Sequence, residues 1–348
     1  MNSTYRAIEL SEPGRFSEVT KPILDPGPNQ VRIRVEACGV CHSDAATVEG
    51  LFPIVWPRVP GHEVVGPIDA LGSGVQCWTV GQRVGVGFLA GFCGYCGFCR
   101  NGDLVNCRNQ EYTGVHHDGG YAEVMIAKAS GLVSVPDDLS SGGAAPLRCA
   151  GITTFSALRN SPAKAGDLVA VLGIGGLGHL AVQYARRMGF EVAAIARGTR
   201  AAELAKKLGA HHYIDSAAAD PAAALQALGG ATVILITASG GKTVAATFKG
   251  LRPGGVSIVV GVGPEPIEVT GMDLIFATRK VEGSLTGTPA VGDITLRFIA
   301  LSGVSAMIET IPLDQAATAY AKMMDGKARF RMVLVTKNGA GQRNSAGL

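Results

Sequence analysis

At 348 residues the chain is too long for one ordinary core, and two domains of about 150 to 200 residues are expected. Hydrophobic residues at 47% against 17% charged exclude a largely disordered chain, and a net charge of +3 without long basic runs excludes nucleic acid or an anionic membrane as partner. No apolar run approaches the roughly 18 residues of a membrane span, and the N-terminus has no apolar leader, so a cytoplasmic protein is expected.

Residues 1 to about 90 read as β-rich, with alternating runs such as Val31 to Val35 and Gln82 to Val86 between Pro and Gly clusters. Directly after the first run, Ala37-Cys38-Gly39-Val40-Cys41-His42-Ser43-Asp44 places a thiol, a hydroxyl and a carboxylate in one Gly-containing turn. Gly61-His62-Glu63 follows, and much later comes Arg148-Cys149-Ala150-Gly151. If the fold brings Cys41, His62 and Cys149 together, two thiolates and one imidazole make a zinc site with an open fourth position, the arrangement a catalytic zinc needs. Phe52, Trp56 and Leu89 are candidate walls of an apolar pocket.

The most specific local signal is Cys93, Cys96, Cys99 and Cys107, spaced C-x2-C-x2-C-x7-C in a glycine-rich loop. Four thiolates at this spacing close a tetrahedral zinc site that is fully coordinated and therefore structural. A bacterial ferredoxin run would end in C-x3-C-P, which is absent here, and the cysteines are expected reduced and metal-bound, not paired as disulfides.

Beyond Cys149 the pattern changes to strands alternating with helices. The apolar strand Leu168 to Leu172 runs into Gly173-Ile174-Gly175-Gly176-Leu177-Gly178 and a helix from His179 to Met188. In this context the glycines mark a dinucleotide site: Gly173 for a tight turn, Gly175 for close approach of a pyrophosphate, Gly178 for helix packing. Further strands at Val192 to Ile195, His212 to Ile214, Val233 to Ile236, Val256 to Val260 and Lys280 to Leu285 predict a doubly wound parallel sheet. A helix from Asp293 to Leu301, the segment Leu313 to Met324 and a strand from Phe330 to Val335 return the chain to its first domain, and the tail after Lys337 is expected to fray.

An NAD site usually carries an acidic residue about 20 positions past the first glycine, on the coenzyme ribose. Here Ala196 holds that place, followed by Arg197-Gly198-Thr199-Arg200. Two guanidiniums and no carboxylate favour NADP(H), with NAD(H) as the alternative.

Together these motifs cover essentially the whole chain, which resembles the zinc-containing alcohol dehydrogenases of the medium-chain dehydrogenase/reductase superfamily, nearest to the microbial and cinnamyl-alcohol-dehydrogenase-like members. The resemblance implies an α/β protein: a GroES-like β-rich catalytic domain (1–152 and 287–348) with a structural zinc lobe (91–108), plus a Rossmann domain (153–286) binding coenzyme through Gly173, Gly175, Gly176, Leu177, Gly178, Arg197 and Arg200. It implies two zinc ions, the catalytic one on Cys41, His62 and Cys149 with Glu63 beside it, and the structural one on Cys93, Cys96, Cys99 and Cys107. Ser43 becomes the proton relay, His42 the basic residue near the coenzyme pyrophosphate and Asp44 the partner orienting a ligand imidazole.

The expected reaction is hydride transfer between a primary, medium-chain or aromatic alcohol and NAD(P), in a homodimer or homotetramer joined partly through Val256 to Val260 and Met272 to Leu285. A secondary-alcohol or polyol dehydrogenase, or a catalytically silent coenzyme-binding relative, are the alternatives. Two residues depart from the family pattern. Ala46 stands where the relay often ends in histidine, and Arg148 precedes the third zinc ligand where relatives are often aliphatic.

Overall fold

The period-two runs of the N-terminal region form strands whose alternate side chains are buried, as in Gln30–Arg34, where Val31 and Ile33 are inside and Arg32 and Arg34 are not. In the computed structural model, which describes residues 4–261 and 263–339, the chain divides into two units, Met1–Ile152 with Gly287–Leu348, and Thr153–Thr286.

The first unit is built on a sheet ordered Ile308–Pro312, Arg331–Val335, Ala37–Val40, Glu63–Leu71, Gln30–Arg34 and Val124–Lys128, with Arg83–Val86 and Leu132–Ser134 branching from Glu63–Leu71. Only the pair Ile308–Pro312 and Arg331–Val335 is parallel; the remaining pairs are antiparallel. Its core gathers Leu10, Ile33, Val64, Ile68, Val84, Tyr121 and Leu334, and burial of each such aliphatic side chain contributes about 1.5–3 kcal/mol. Trp56 packs against this core.

Pairing direction places three strand ends at one edge. Ala37–Val40 runs toward Cys41, whereas Glu63–Leu71 starts just after His62 and pairs antiparallel with it, Gly39 opposite Glu63. On the other side Arg331–Val335 is also antiparallel, with Met332 opposite Val40. The end of one strand therefore meets the beginnings of two others, and Cys41, His62 and Arg331 emerge together.

The second unit is a six-stranded, wholly parallel sheet in the order His212–Asp215, Glu191–Ala196, Leu168–Leu172, Ala231–Ile236, Leu251–Val259, Lys280–Gly283. Leu168–Leu172 and Ala231–Ile236 lie at its centre and are buried along their whole length, which is why their sequences do not alternate. Strand order reverses between these two, and such a switch point opens a crevice at the strands' carboxyl ends.

Three expectations need correction. Of Val256 to Val260, all but Val260 lie in a strand hydrogen-bonded on both sides, and Val256, Ser257 and Ile258 are buried, so it offers no sheet edge; the edge on that side is Lys280–Gly283. The helix read from Asp293 to Leu301 spans Pro289–Ser302, because Thr288 Oγ1 caps it by accepting the Val291 amide at 3.3 Å and Gly303 ends it at φ +71°. Asn338, placed in the frayed tail, is anchored by Nδ2 donating to the carbonyls of Val35 at 3.2 Å and Glu123 at 3.1 Å; residues 340–348 of that tail lie outside the described residues.

Candidate metal centre and coenzyme crevice

Cys41 ends its strand and caps a short 3-10 turn, His42–Asp44, that turns alternate side chains in opposite senses: His42 and Ser43 are exposed and Asp44 is buried. Asp44 then holds two neighbours. Its Oδ2 accepts the Cys41 amide at 2.9 Å and its Oδ1 lies 2.8 Å from His62 Nδ1. That contact places a proton on Nδ1, and Nε2 of His62 is buried among the Cys41 and Cys149 thiols and makes no hydrogen bond. A third group, Tyr121 Oη, donates to Asp44 Oδ2 at 2.9 Å from a fully buried ring.

Cys149 arrives on a 3-10 turn, Ala145–Arg148, that packs against the strands leading to Cys41 and from His62. The donor atoms of Cys41, His62, Glu63 and Cys149 all lie within 4.8 Å of one another. Cys41 Sγ and Cys149 Sγ are 3.8 Å apart, far beyond a disulfide and equal to the edge of a tetrahedron with Zn–S bonds of about 2.3 Å, which is about 3.8 Å. A buried imidazole nitrogen lacking a partner, beside two thiols at this spacing, fits zinc.

The electrostatics agree with the donor set. Cys41 is held well below the usual thiol range, first by the hydrogen bond from Cys149 and then by the positive charge of Arg331, against the effect of burial. Cys149, as donor of that bond, is raised. Burial pushes Glu63 up to about 8 although Arg331 pulls it down. The Glu63–Arg331 pair is buried on both sides and is not legible from residue order, because Arg331 opens what reads as an ordinary apolar strand. Register could have found it, since Arg331 lies one position beyond the Met332–Val40 pair and hence beside Cys41. Gly39 is the other half of the arrangement: a Cβ there would lie 1.9 Å from Glu63 Oε2.

Arg148 is buried with its stem along Gly85 and its guanidinium beside Gly292; burial raises the nearby Asp293 carboxyl, opposed by the Ser134 amide and the Arg148 charge. Ala46 is buried, so the 3-10 turn continues into a helix without a second proton carrier. Among the pocket candidates, Phe52 is 45% exposed and its ring sits 6.3 Å from Tyr112. Tyr112 stacks on Phe88 at 4.7 Å, and Phe88 meets His62 edge-on at 5.1 Å. Phe88 and Tyr112 escaped the sequence reading because no spacing links them to His62. Leu89 pairs with Tyr112 through an isolated β-bridge.

The four lobe cysteines also converge, their sulfurs within 4.8 Å of one another and Cys93 Sγ 3.9 Å from Cys99 Sγ. Burial opposes ionisation of Cys93, yet the amides of Cys96 and Tyr95 bring it down to about 6, so a thiolate is available at neutral pH. This donor set fits a second, closed zinc site.

In the second unit Gly173 takes φ +92°, a Cβ on Gly178 would lie 1.8 Å from Gly173 O, and the space above Gly175 is empty to 4 Å. Helix Gly178–Arg187 begins here with no side chain capping its amides. Open space above Gly175 at the start of a helix suits a coenzyme pyrophosphate. Gly176 and Leu177 complete the turn, and Arg197 and Arg200 are exposed after strand Glu191–Ala196. A further cavity of about 250 Å³ lies between Ala238, Ser239, Val259 and Glu265, and Glu265 Oε2 accepts the Gly241 amide at 3.0 Å. Among the described residues no helix is long and apolar enough to cross a membrane.

Residues 27–137 match the family described as "Alcohol dehydrogenase GroES-like domain", and residues 176–302 match "Zinc-binding dehydrogenase". The chain is 39% identical to alcohol dehydrogenase notN of Aspergillus sp. (strain MF297-2), over 95% of this chain and 98% of the relative. It is 38% identical to aldehyde reductase AdhA of Synechocystis sp., over 96% and 98%. The fold is similar to that of CAD from Helicobacter pylori complexed with NADP(H), with a TM-score of 0.85 and 29% identity, covering 99% of this chain and 100% of the other.

Proposed function

Since the chain belongs to the zinc-containing alcohol dehydrogenases of the medium-chain dehydrogenase/reductase superfamily, we propose that it reduces aromatic and medium-chain aldehydes to primary alcohols with NADPH, and runs the reverse reaction with NADP. The observation that carries this reading is the buried Nε2 of His62 beside the Cys41 and Cys149 thiols. These three residues would hold a catalytic zinc, and Cys93, Cys96, Cys99 and Cys107 a structural one. The chemistry zinc supplies when bound is Lewis acidity toward an alcohol or carbonyl oxygen, and that of the nicotinamide is giving or taking a hydride.

The protein's own part follows from the geometry. Asp44 keeps His62 in the Nδ1–H tautomer and fixes the Cys41 amide, so one carboxylate aligns two donors. The exposed Ser43 hydroxyl takes the substrate's proton and passes it outward; with Ala46 inert, exposed His42 or water is the next acceptor. Glu63, balanced by Arg331, sets the charge beside the donors.

Substrate class is supported by the aromatic run from His62 through Phe88 and Tyr112 to Phe52, which offers stacking surface for a planar ring. Arg197 and Arg200 support NADP(H), as the crevice offers no acidic residue at the end of its second strand. Exposed Met272, Ile275 and Phe276 beside the edge strand Lys280–Gly283 support a homodimer or homotetramer. Eight free cysteines suit a reducing cytoplasm.

The test is the loss of coenzyme absorbance with an aromatic aldehyde, with NADPH and NADH compared at equal subsaturating concentrations. Faster NADPH oxidation is expected. Faster NADH oxidation would overturn the coenzyme reading alone, and inactivity across a panel of carbonyl compounds would overturn the reaction.

A further inference from the structure

The turn after the second strand of the coenzyme unit is built in an unusual way. Gly198, at φ +71°, has both its backbone polar groups taken by side chains of the neighbouring third strand, His212–Asp215. Its amide donates to Asp215 Oδ1 at 2.7 Å, and its carbonyl accepts from Tyr213 Oη at 2.5 Å. The same Asp215 oxygen accepts the Ala217 amide at 2.9 Å, and the Ser216 amide donates to Ala196 O at 3.0 Å. The turn is therefore fastened from one side by three hydrogen bonds, while the Ala217 amide steadies Asp215 within its own loop. Its other side is free: a Cβ on Gly198 would meet nothing within 4 Å, and Arg197 and Arg200 are exposed on either flank.

The register explains the exchange. Asp215 is paired with Ala196, the residue at the end of the second strand where a ribose-binding acid would stand. The carboxylate nearest that place stands one strand over, on Asp215, and accepts the amides of Gly198 and Ala217. A flexible glycine turn would have to be ordered when the coenzyme arrives, at a cost in affinity; a fastened one presents its guanidiniums already in place.

We propose that Tyr213 and Asp215 are positioning residues for coenzyme selectivity: by clamping Gly198 they hold the Arg197–Arg200 turn in the conformation that distinguishes a ribose 2′-phosphate from a 2′-hydroxyl. The proposal rests on the reading that this turn meets the adenosine ribose. It commits to no preference for one coenzyme, only to the clamp as the source of whichever preference exists.

The experiment is the ratio of kcat/KM for NADPH over NADH in the full-length zinc-loaded enzyme, with Tyr213→Phe, Asp215→Ala and Asp215→Asn, together with the Kd of 2′,5′-ADP. Tyr213→Phe and Asp215→Ala should each move the ratio toward one by about fivefold, the worth of a lost backbone hydrogen bond, through KM at unchanged kcat. Asp215→Asn keeps an acceptor oxygen and should stay within about twofold of the parent. The preferred ligand among 2′,5′-ADP and 5′-AMP should weaken in parallel. A merely structural role would lower Tm and leave the ratio unmoved, and an unmoved ratio in Tyr213→Phe overturns the proposal even if Asp215→Ala fails to fold. A parent enzyme that prefers NADH discards the NADPH reading but keeps the clamp if the ratio still collapses toward one; a parent with no preference overturns the clamp.

Discussion

The two cysteine clusters hold similar donors at similar spacing but are made in opposite ways. The lobe closes on itself within 15 residues, from Cys93 to Cys107, whereas the other site draws Cys41, His62 and Cys149 from separate elements and buries the imidazole. Local closure needs little from the fold. Tertiary closure needs strand direction, register, a carboxylate that aligns two donors, and a buried ion pair. The lobe is accordingly a self-contained clip, and the other centre measures whether the whole first unit is correctly assembled.

The sharpest way to break this contrast is Cys149→Ser. We expect turnover to fall by at least about a thousandfold and half the zinc to be lost, with the lobe still loaded, as read by elemental analysis and a thiol-protection assay. Activity near that of the parent would refute the ligand assignment. Next is Arg331→Leu, which leaves Glu63 buried without its cation; since Glu63 ionises only near 8, denaturant unfolding should show a cost of about 3–5 kcal/mol at pH 9 and a smaller one at pH 7, and a loss below about 1 kcal/mol at pH 9 would refute the ion pair.

Asp44→Ala releases both His62 Nδ1 and the Cys41 amide, and should weaken zinc at that centre about 10–100-fold in chelator competition, with lobe zinc unchanged. Equal loss from both centres would erase the distinction. The smallest effect belongs to Tyr121→Phe, which deletes one hydrogen bond to Asp44 and should lower stability by about 1 kcal/mol while zinc leaves that centre a few times faster.

What the sequence made legible follows the same division. The lobe, the glycine turn and the alternating strands are local patterns, and all could be read in chain order. Arg331, Phe88 and Tyr112 could not, because each gains its meaning from a neighbour more than 20 residues away: Glu63 in one case, the His62 ring and its stacking partner in the others. Arg148, a charge beside a donor residue, could be flagged but not placed; its direction is set by room left at Gly85 and Gly292. That Val256 to Val260 lies inside the sheet could not be read in chain order, because periodicity gives a strand but not its neighbours.

The delivery of Arg331 from the far end of the chain has a consequence for synthesis. On the ribosome, Thr153–Thr286 emerges as one uninterrupted segment and can fold as soon as it is out, whereas the first unit waits for Gly287–Leu348. Until Arg331 has been added, Cys41, His62 and Cys149 are all present but Glu63 lacks the cation it is buried against. Nascent chains stalled before residue 331 should thus be protease-resistant through 153–286 and cleavable in the N-terminal sheet, so that a settled donor cluster reports that synthesis has passed Arg331.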